Sequence, residues 1–182
     1  MRVNKVIIIF IFLLLTIAAA TFFLLPSFRK AVPLPVFRAV KKTVVLKLNS
    51  EVDKSVVAQP FKLFLYFTSE NTDISSFDAV VTYDPEMVQV DEIRQTDVFP
   101  FYPRKMIEDF KSRFVITGVQ QSLKSELKVK NGELAQISVT PLREGSAEFN
   151  FLVDGDKYTN VMNRALENVL QNAVGTTVEI TE

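Results

Sequence analysis

The chain of 182 residues contains no cysteine, no histidine and no tryptophan. Without cysteine it can form neither a disulfide nor a thiolate metal site, so its fold has to rest on a hydrophobic core. Without histidine it lacks the side chain that most often acts as a general base or binds zinc. No pair of carboxylates and no nucleophile with a neighbouring base can be placed together from the sequence. We therefore expect a protein that is not an enzyme and that holds no cofactor.

Basic and acidic residues balance, with 21 of each, so no basic field is present to attract nucleic acid. Nucleic acid is accordingly excluded as an expected partner. The chain is instead rich in phenylalanine, with 16 residues. These rings supply enough apolar surface for the core of a domain of roughly 140 residues.

The longest apolar run covers residues 6–25, VIIIFIFLLLTIAAATFFLL, and contains no charge. A helix of this length, at about 1.5 Å per residue, crosses the ~30 Å hydrocarbon layer of a membrane. Two interpretations compete: a signal peptide cleaved at the alanines of residues 18–20, or an uncleaved anchor. The apolar run continues through residues 22–25, beyond the alanines, which favours the anchor. We expect a tail at residues 1–5, a transmembrane helix at 6–25, a proline-containing linker at 26–42 and a domain at 43–182.

The stretch of residues 76–90, SFDAVVTYDPEMVQV, shows the period of two that is typical of a strand with two unlike faces. Asp78, Val80 and Thr82 alternate with the apolar set Phe77, Ala79, Val81 and Tyr83. Proline has no N–H for a ladder, so Asp84-Pro85 ends this strand, and a second strand follows at Val88.

The same alternation predicts further strands that start near Val44, Phe61, Arg113, Ala135, Ala147 and Thr176. Residues 49–60 and 96–111 are predicted loops, the second with a helical turn at 106–110. Residues 160–171 are a predicted short helix, because apolar residues recur every four positions. Asn131-Gly132 predicts a tight hairpin turn with positive φ at both residues, and Glu144-Gly145 a second turn. Seven to nine strands separated by turns are typical of an antiparallel sandwich.

Several of these pieces resemble the cohesin family, the dockerin-binding modules of cellulosomes and of some cell-surface proteins. Residues 77–85, FDAVVTYDP, followed by Val88 and Val90, resemble the third and fourth strands of cohesins. Residues 131–135, NGELA, are similar to the entry to the sixth strand. Residues 144–146, EGS, followed by Phe149, are similar to the turn into the seventh. The resemblance covers about residues 43–181.

The resemblance implies an all-β fold, a nine-stranded jelly-roll sandwich that follows the transmembrane helix. It also implies that one flat sheet face receives a dockerin-like protein and that Asp78 lies on this face. By alternation Val80 and Thr82 share the face with Asp78, so these three residues are the predicted partner-binding site. A single module on an anchor differs from scaffold proteins with many cohesins, and favours display at the cell surface.

The side of the membrane is predicted by two arguments that disagree. Lysine and arginine are more frequent after the span than before it, and the positive-inside rule taken literally puts the domain in the cytoplasm. The rule weakens for long translocated domains, and the resemblance favours the outside. We expect a single-pass membrane protein with an extracytoplasmic C-terminal domain.

Two other functions stay open, a carbohydrate-binding module of the same shape and a passive structural domain of the cell envelope. Tyr66, Tyr83, Tyr102 and Tyr158 could stack on sugar rings, but the absence of tryptophan argues against a polysaccharide platform. Asp154, Asp156 and Asn160 offer hard oxygen ligands for Ca²⁺. Their spacing does not match an EF-hand loop, and a simple Asp-Gly turn is the favoured interpretation.

Overall fold

The computed structural model describes residues 39–122, 127, 129–153 and 158–182. The predicted tail, membrane anchor and most of the linker lie outside the described residues, so the anchor stays a prediction. Within the described part of the chain, no helix has both the length and the apolar character that a membrane span requires.

Strands build the described domain, together with one short 3₁₀ turn at Asp109–Lys111. The strands are β1 (Val44–Ser50), β2 (Lys54–Val56), β3 (Phe61–Ser69), β4 (Ser76–Thr82), β5 (Val88–Gln95), β6 (Phe101–Glu108), β7 (Arg113–Val119), β8 (Asn131–Pro141), β9 (Gly145–Phe151), β10 (Asn160–Met162), β11 (Leu170–Val174) and β12 (Thr176–Thr181).

Two sheets pack face to face, and the predicted all-β sandwich is confirmed. One sheet has the order β11-β1-β3-β8-β5, and the other has the order β2-β12-β9-β4-β7-β6, with β10 paired to β4. The pairings are antiparallel except for β1 with β11 and β2 with β12. The described residues form twelve strands, against the nine that the resemblance implies and the eight that alternation marks. The four strands that alternation does not mark, β2, β6, β10 and β11, are short or edge strands in segments assigned to loops or to a helix.

The core between the sheets comes from the alternate residues of the long strands. In β3, Phe61, Leu63, Leu65 and Phe67 are buried, and Phe77, Ala79 and Val81 supply the facing side of β4. Phe77 packs against Phe99 with ring centroids 5.1 Å apart and against Tyr102 at 6.1 Å. The inward face predicted for residues 77–83 is thus the centre of the sandwich.

The predicted loop at residues 96–111 is wrong, because half of it, Phe101–Glu108, forms β6. Among the described residues this strand lies at the edge of its sheet, with β7 as its one neighbour. Edge strands tolerate proline, so Pro103 does not prevent pairing, and a shift of register between Phe101 and Arg104 accommodates it. The helical turn is present at Asp109–Lys111, slightly later than predicted.

The predicted helix at residues 160–171 is also wrong. The segment forms β10, a turn at Leu166 with a φ of 61°, and β11. Val161 and Val169 are both buried, and the amide of Val169 donates to the carbonyl of Val161 at 2.7 Å. The recurrence every four residues arises because Val161 of β10 and Val169, directly before β11, face each other across a turn.

Asn131-Gly132 does not form the predicted hairpin turn. Both residues open β8 and pair with Thr68 and Phe67 of β3, and neither has a positive φ. The glycine serves a close approach instead, since a Cβ there would lie 3.3 Å from Val98 Cγ2. The turn predicted at Glu144-Gly145 is confirmed by the φ of 133° at Gly145.

Candidate functional site

The solvent side of the seven-stranded sheet presents side chains in three rows that cross β6, β7 and β4. Rows arise because directly paired residues of antiparallel strands point to the same side of the sheet. We call this surface the three-row face. Its rows are the Asp78 row (Arg104, Thr117, Asp78, Asn160), the Met106 row (Met106, Val115, Val80) and the Glu108 row (Glu108, Arg113, Thr82, Asn150).

The structure places all three predicted site residues on this face, one in each row. Asp78 is held firmly: Arg104 Nη2 donates to Asp78 Oδ1 at 2.9 Å, and the hydroxyl of Thr117 donates to the same oxygen. Arg104 Nε also donates to Thr117 Oγ1 at 3.2 Å. The Asp78 side chain keeps 29% of its surface exposed. It is therefore a positioned and accessible carboxylate.

The Met106 row forms an apolar centre between the two polar rows. Val80 and Val115 are only 2% and 4% exposed, yet neither belongs to the buried cluster between the sheets. The backbone of Val80 is fixed by Thr159, whose hydroxyl accepts from its amide at 3.0 Å and donates to its carbonyl at 3.1 Å. Met106 is 45% exposed. The accessible apolar surface of the row is therefore at Met106 rather than at Val80.

The Glu108 row carries an ion-pair cluster at the other side of the Met106 row. Lys111 Nζ donates to Glu108 Oε1 at 2.9 Å and Arg113 Nε to Glu108 Oε2 at 2.6 Å. These two hydrogen bonds lower the pKa of the Glu108 carboxyl. At the far end of the row, the hydroxyl of Thr82 donates to the carbonyl of Asn150 at 3.1 Å. Thr82 is thus partly engaged within the sheet.

Sequence reasoning missed Arg104, Met106, Glu108 and Arg113. The first three lie in the segment predicted as a loop, and alternation within one strand cannot show which strands stand beside it. The sequence offers no alternation that could have revealed this strand, because residues 101–108 read FYPRKMIE.

Replacing Glu108 with glutamine is expected to lower the stability of the domain at neutral pH but not at acidic pH. The pKa of Glu108 is lower in the folded state than in the unfolded state. Its contribution is therefore present above the unfolded pKa and is lost as the pH falls through the folded pKa. Urea unfolding at about pH 7 and about pH 3 measures the difference.

Glu86→Gln is the control for this experiment. Its side chain is largely exposed, and the nearest cation, Arg143, lies 3.6 Å away. We expect its effect on stability to be small at both pH values. A Glu108→Gln effect that persists unchanged at the acidic pH would contradict the electrostatic explanation.

The four tyrosines considered for sugar stacking do not form one platform. Tyr66 lies on β3 of the five-stranded sheet, where its hydroxyl donates to Glu133 Oε2 at 3.2 Å. Tyr83 is buried against the core, donates to Asp109, and burial raises the pKa of its hydroxyl. Tyr102 on β6 packs against Phe77 and donates to the carbonyl of Leu134 at 3.0 Å. At least three of the rings therefore lie in separate environments.

The residues considered for Ca²⁺ are described only in part. Asp154 and Asp156 lie outside the described residues, and the Asn160 side chain donates to the carbonyl of Tyr158 at 2.9 Å. Among the residues that the structure does describe, no group of three or more acidic side chains is arranged to hold a metal ion.

Comparison with known proteins gives structural matches only. No family model matches the chain, and no curated protein matches it. A cohesin of Clostridium thermocellum, solved as the Coh-OlpC complex with a dockerin, is 18% identical with a TM-score of 0.61, over 79% of this chain and 97% of that one. The sixth cohesin of scaffoldin B from Acetivibrio cellulolyticus, in complex with a Cel5 dockerin, is 11% identical with a TM-score of 0.62, over 76% and 99%.

A third match extends the set to another organism. The seventh ScaB type I cohesin of Pseudobacteroides cellulosolvens is 9% identical with a TM-score of 0.61, over 76% of this chain and 92% of that one. Identities this low establish the fold and nothing finer. The described domain has the cohesin fold, as the sequence resemblance predicts.

Proposed function

We propose that residues 43–182 form a protein-binding module and that a partner docks on the three-row face. The observation that carries this proposal is the Met106 row, an apolar centre enclosed by two rows of charged and polar side chains. Protein interfaces have this composition, with an apolar centre that excludes water and a polar rim that fixes orientation. Asp78 and Arg104 supply a fixed charge pair at one rim, and Glu108 and Arg113 supply another.

The partner that we propose is a dockerin-like protein. The support is the shared fold together with the solved complexes, in which cohesins from Clostridium thermocellum and Acetivibrio cellulolyticus are bound to dockerins. The role is recognition and not catalysis. Its specificity would come from the rim charges, since polar groups on a flat sheet fix register and orientation.

Capture experiments test the binding function. The fragment of residues 39–182 contains the whole of the compact unit Val40–Glu182, which has its own core. Dockerin-like proteins encoded in the same genome can be identified by paired Ca²⁺-loop repeats in their sequences. We expect the immobilised fragment to retain such proteins. Retention of the fragment on insoluble glycans without any protein partner would favour the carbohydrate-binding alternative. A fragment that binds neither a dockerin-like protein nor an insoluble glycan would favour a passive structural domain.

We also propose that residues 6–25 anchor the chain in the cell membrane and that the domain lies on the extracytoplasmic side. The support is the uncharged run of membrane-spanning length and the proline-containing linker that follows it. Such a tether would hold a binding module at the cell surface.

Protease treatment of whole cells tests this placement. We expect added protease to remove the domain from intact cells, as detected by an antibody to the domain. A cytoplasmic protein serves as the control for cell integrity. Protection of the domain in intact cells, with digestion after lysis, would overturn the extracytoplasmic placement.

A further inference from the structure

The seven-stranded sheet ends at β6, and this end is unusually apolar. Among the described residues no strand pairs with the outer edge of β6. Phe101, Met106 and Ile107 on the strand are exposed, and Phe110 in the adjoining 3₁₀ turn is 82% exposed. An exposed edge presents free N–H and C=O groups that can pair with another strand.

Only part of the edge of β6 is protected against pairing with another strand. Pro103 and the register shift between Phe101 and Arg104 disturb the first half of the strand, as is usual for edges that avoid pairing. From Arg104 to Glu108 the pairing with β7 is regular, residue for residue. The segment from Arg104 to Glu108 is therefore a regular strand, and its free edge can pair with a further strand.

The segment from Arg104 to Glu108 is complementary to itself. Arg104 lies two positions before Met106 and Glu108 two positions after it. A two-fold axis at Met106 in an antiparallel pair places Arg104 opposite Glu108 of a second copy. It places Met106 opposite Met106, and Lys105 opposite Ile107.

Moving the two-fold axis to other positions along β6 gives less favourable pairings. An axis at Lys105 places two lysines opposite each other. An axis between two residues is excluded, because it would oppose side chains that point to different sides of the sheet. Like charges that face each other directly across strands are destabilising. An axis at Ile107 places Met106 opposite Glu108 and leaves Arg104 beyond the paired segment. The Met106 register is the one that matches opposite charges within the regular part of the strand.

We propose that a second copy of this chain docks on β6 by antiparallel pairing about a two-fold axis at Met106. The Met106 rows of the two copies then form one continuous apolar row. The Asp78 row of each copy continues into the Glu108 row of the other. Along this line the charges alternate, from Asp78 and Arg104 of one copy to Glu108 and Arg113 of the second. The contact is isologous, as a two-fold dimer requires.

The expected association is weak in dilute solution. One strand pair buries less surface than the roughly 1,200–2,000 Å² of stable protein interfaces. Confinement of chains to one surface raises their effective concentration, so association is expected mainly in concentrated or membrane-bound protein.

Cysteine cross-linking of the full-length chain tests the register, because the natural sequence contains no cysteine. In either kind of antiparallel pair the two Cα atoms at the axis lie about 4.5 or 5.5 Å apart. Both distances allow a disulfide, which spans about 4.4–6.8 Å between Cα atoms. Met106→Cys in isolated membranes is expected to form a disulfide-linked dimer on oxidation, seen on a non-reducing gel and reversed by reductant.

Leu142→Cys is the matched control, since Leu142 has the same exposed fraction as Met106, 45%. We expect Met106→Cys to cross-link at least about tenfold faster than Leu142→Cys. Lys105→Cys alone should cross-link poorly, because its counterpart in this register is Ile107. Equal rates for all three variants, or fastest cross-linking of Lys105→Cys, would overturn the proposal. Membranes are used without added partner, so failure here leaves the proposed binding function to its own test.

Discussion

Replacing Phe77 with alanine is expected to lower the free energy of unfolding of the domain by about 3–5 kcal/mol. Phe77 is 1% exposed and packs against Phe99 and Tyr102. Its ring also fills the space above Gly118, where an added Cβ would lie 2.3 Å from Phe77 Cε1. Truncation therefore leaves a cavity at the centre of the sandwich. Urea unfolding of the fragment of residues 39–182 measures the loss.

Phe110→Ala makes the same chemical change at a position that is 82% exposed. We expect its effect to stay within about 0.5 kcal/mol, as for most surface substitutions. Since small domains are stable by about 5–15 kcal/mol, the Phe77 variant alone should lose a large part of the total. Similar losses for the two variants would contradict the assignment of Phe77 to the centre of the sandwich.

Replacing Asp78 with arginine is expected to weaken partner binding by about 2–5 kcal/mol, or roughly thirtyfold or more. The substitution removes the carboxylate that accepts from Arg104 and Thr117. It places a second cation beside Arg104, so both the charge and the hydrogen bonds of the Asp78 row are lost. The effect on folding is expected to be small, because the side chain is partly exposed and faces away from the core.

Glu179→Arg is the matched control for Asp78→Arg. Glu179 lies on β12 of the same sheet, is exposed, and pairs in register with Ser146 and Lys54 outside the three-row face. The change in net charge is identical, so any loss through long-range attraction would be the same for both variants. A loss confined to Asp78→Arg therefore locates the partner on the three-row face.

Eight of the strands follow from alternation in the sequence, because each long strand buries one face against the other sheet. In β4, for example, a shift of one residue would expose Phe77 and Val81 and bury Asp78. The hydrophobic effect therefore fixes both the strand and its orientation. The same argument put Asp78, Val80 and Thr82 on the outer side.

The remaining strands carry no such pattern. In β6 only Glu108 is buried, so apolar and polar residues do not alternate, and Pro103 suggests a loop. In β10 and β11 the apolar spacing reflects a turn between two short strands, which imitates a helical period. Edge and short strands are defined by their neighbours more than by their own residues.

The candidate site could be predicted only along a single strand. Alternation placed Asp78 on the outer face of β4, where the structure also has it, but its contacts come from Arg104 and Thr117, which are 26 and 39 positions away in the sequence. The burial of Val80 could not be predicted from the sequence either, because Val80 lies beside Val115 and Thr159, which come from other parts of the chain. Sheet register supplies this information and the sequence pattern does not.

Calorimetric titration of a dockerin-like protein from the same genome tests the central claim most directly. The titration compares the fragment of residues 39–182 with its Asp78→Arg and Glu179→Arg variants, after unfolding experiments confirm that all three are folded. We expect saturable binding to the unchanged fragment and to Glu179→Arg, and a loss of roughly thirtyfold or more for Asp78→Arg. Equal affinity of all three for the partner would contradict docking on the three-row face.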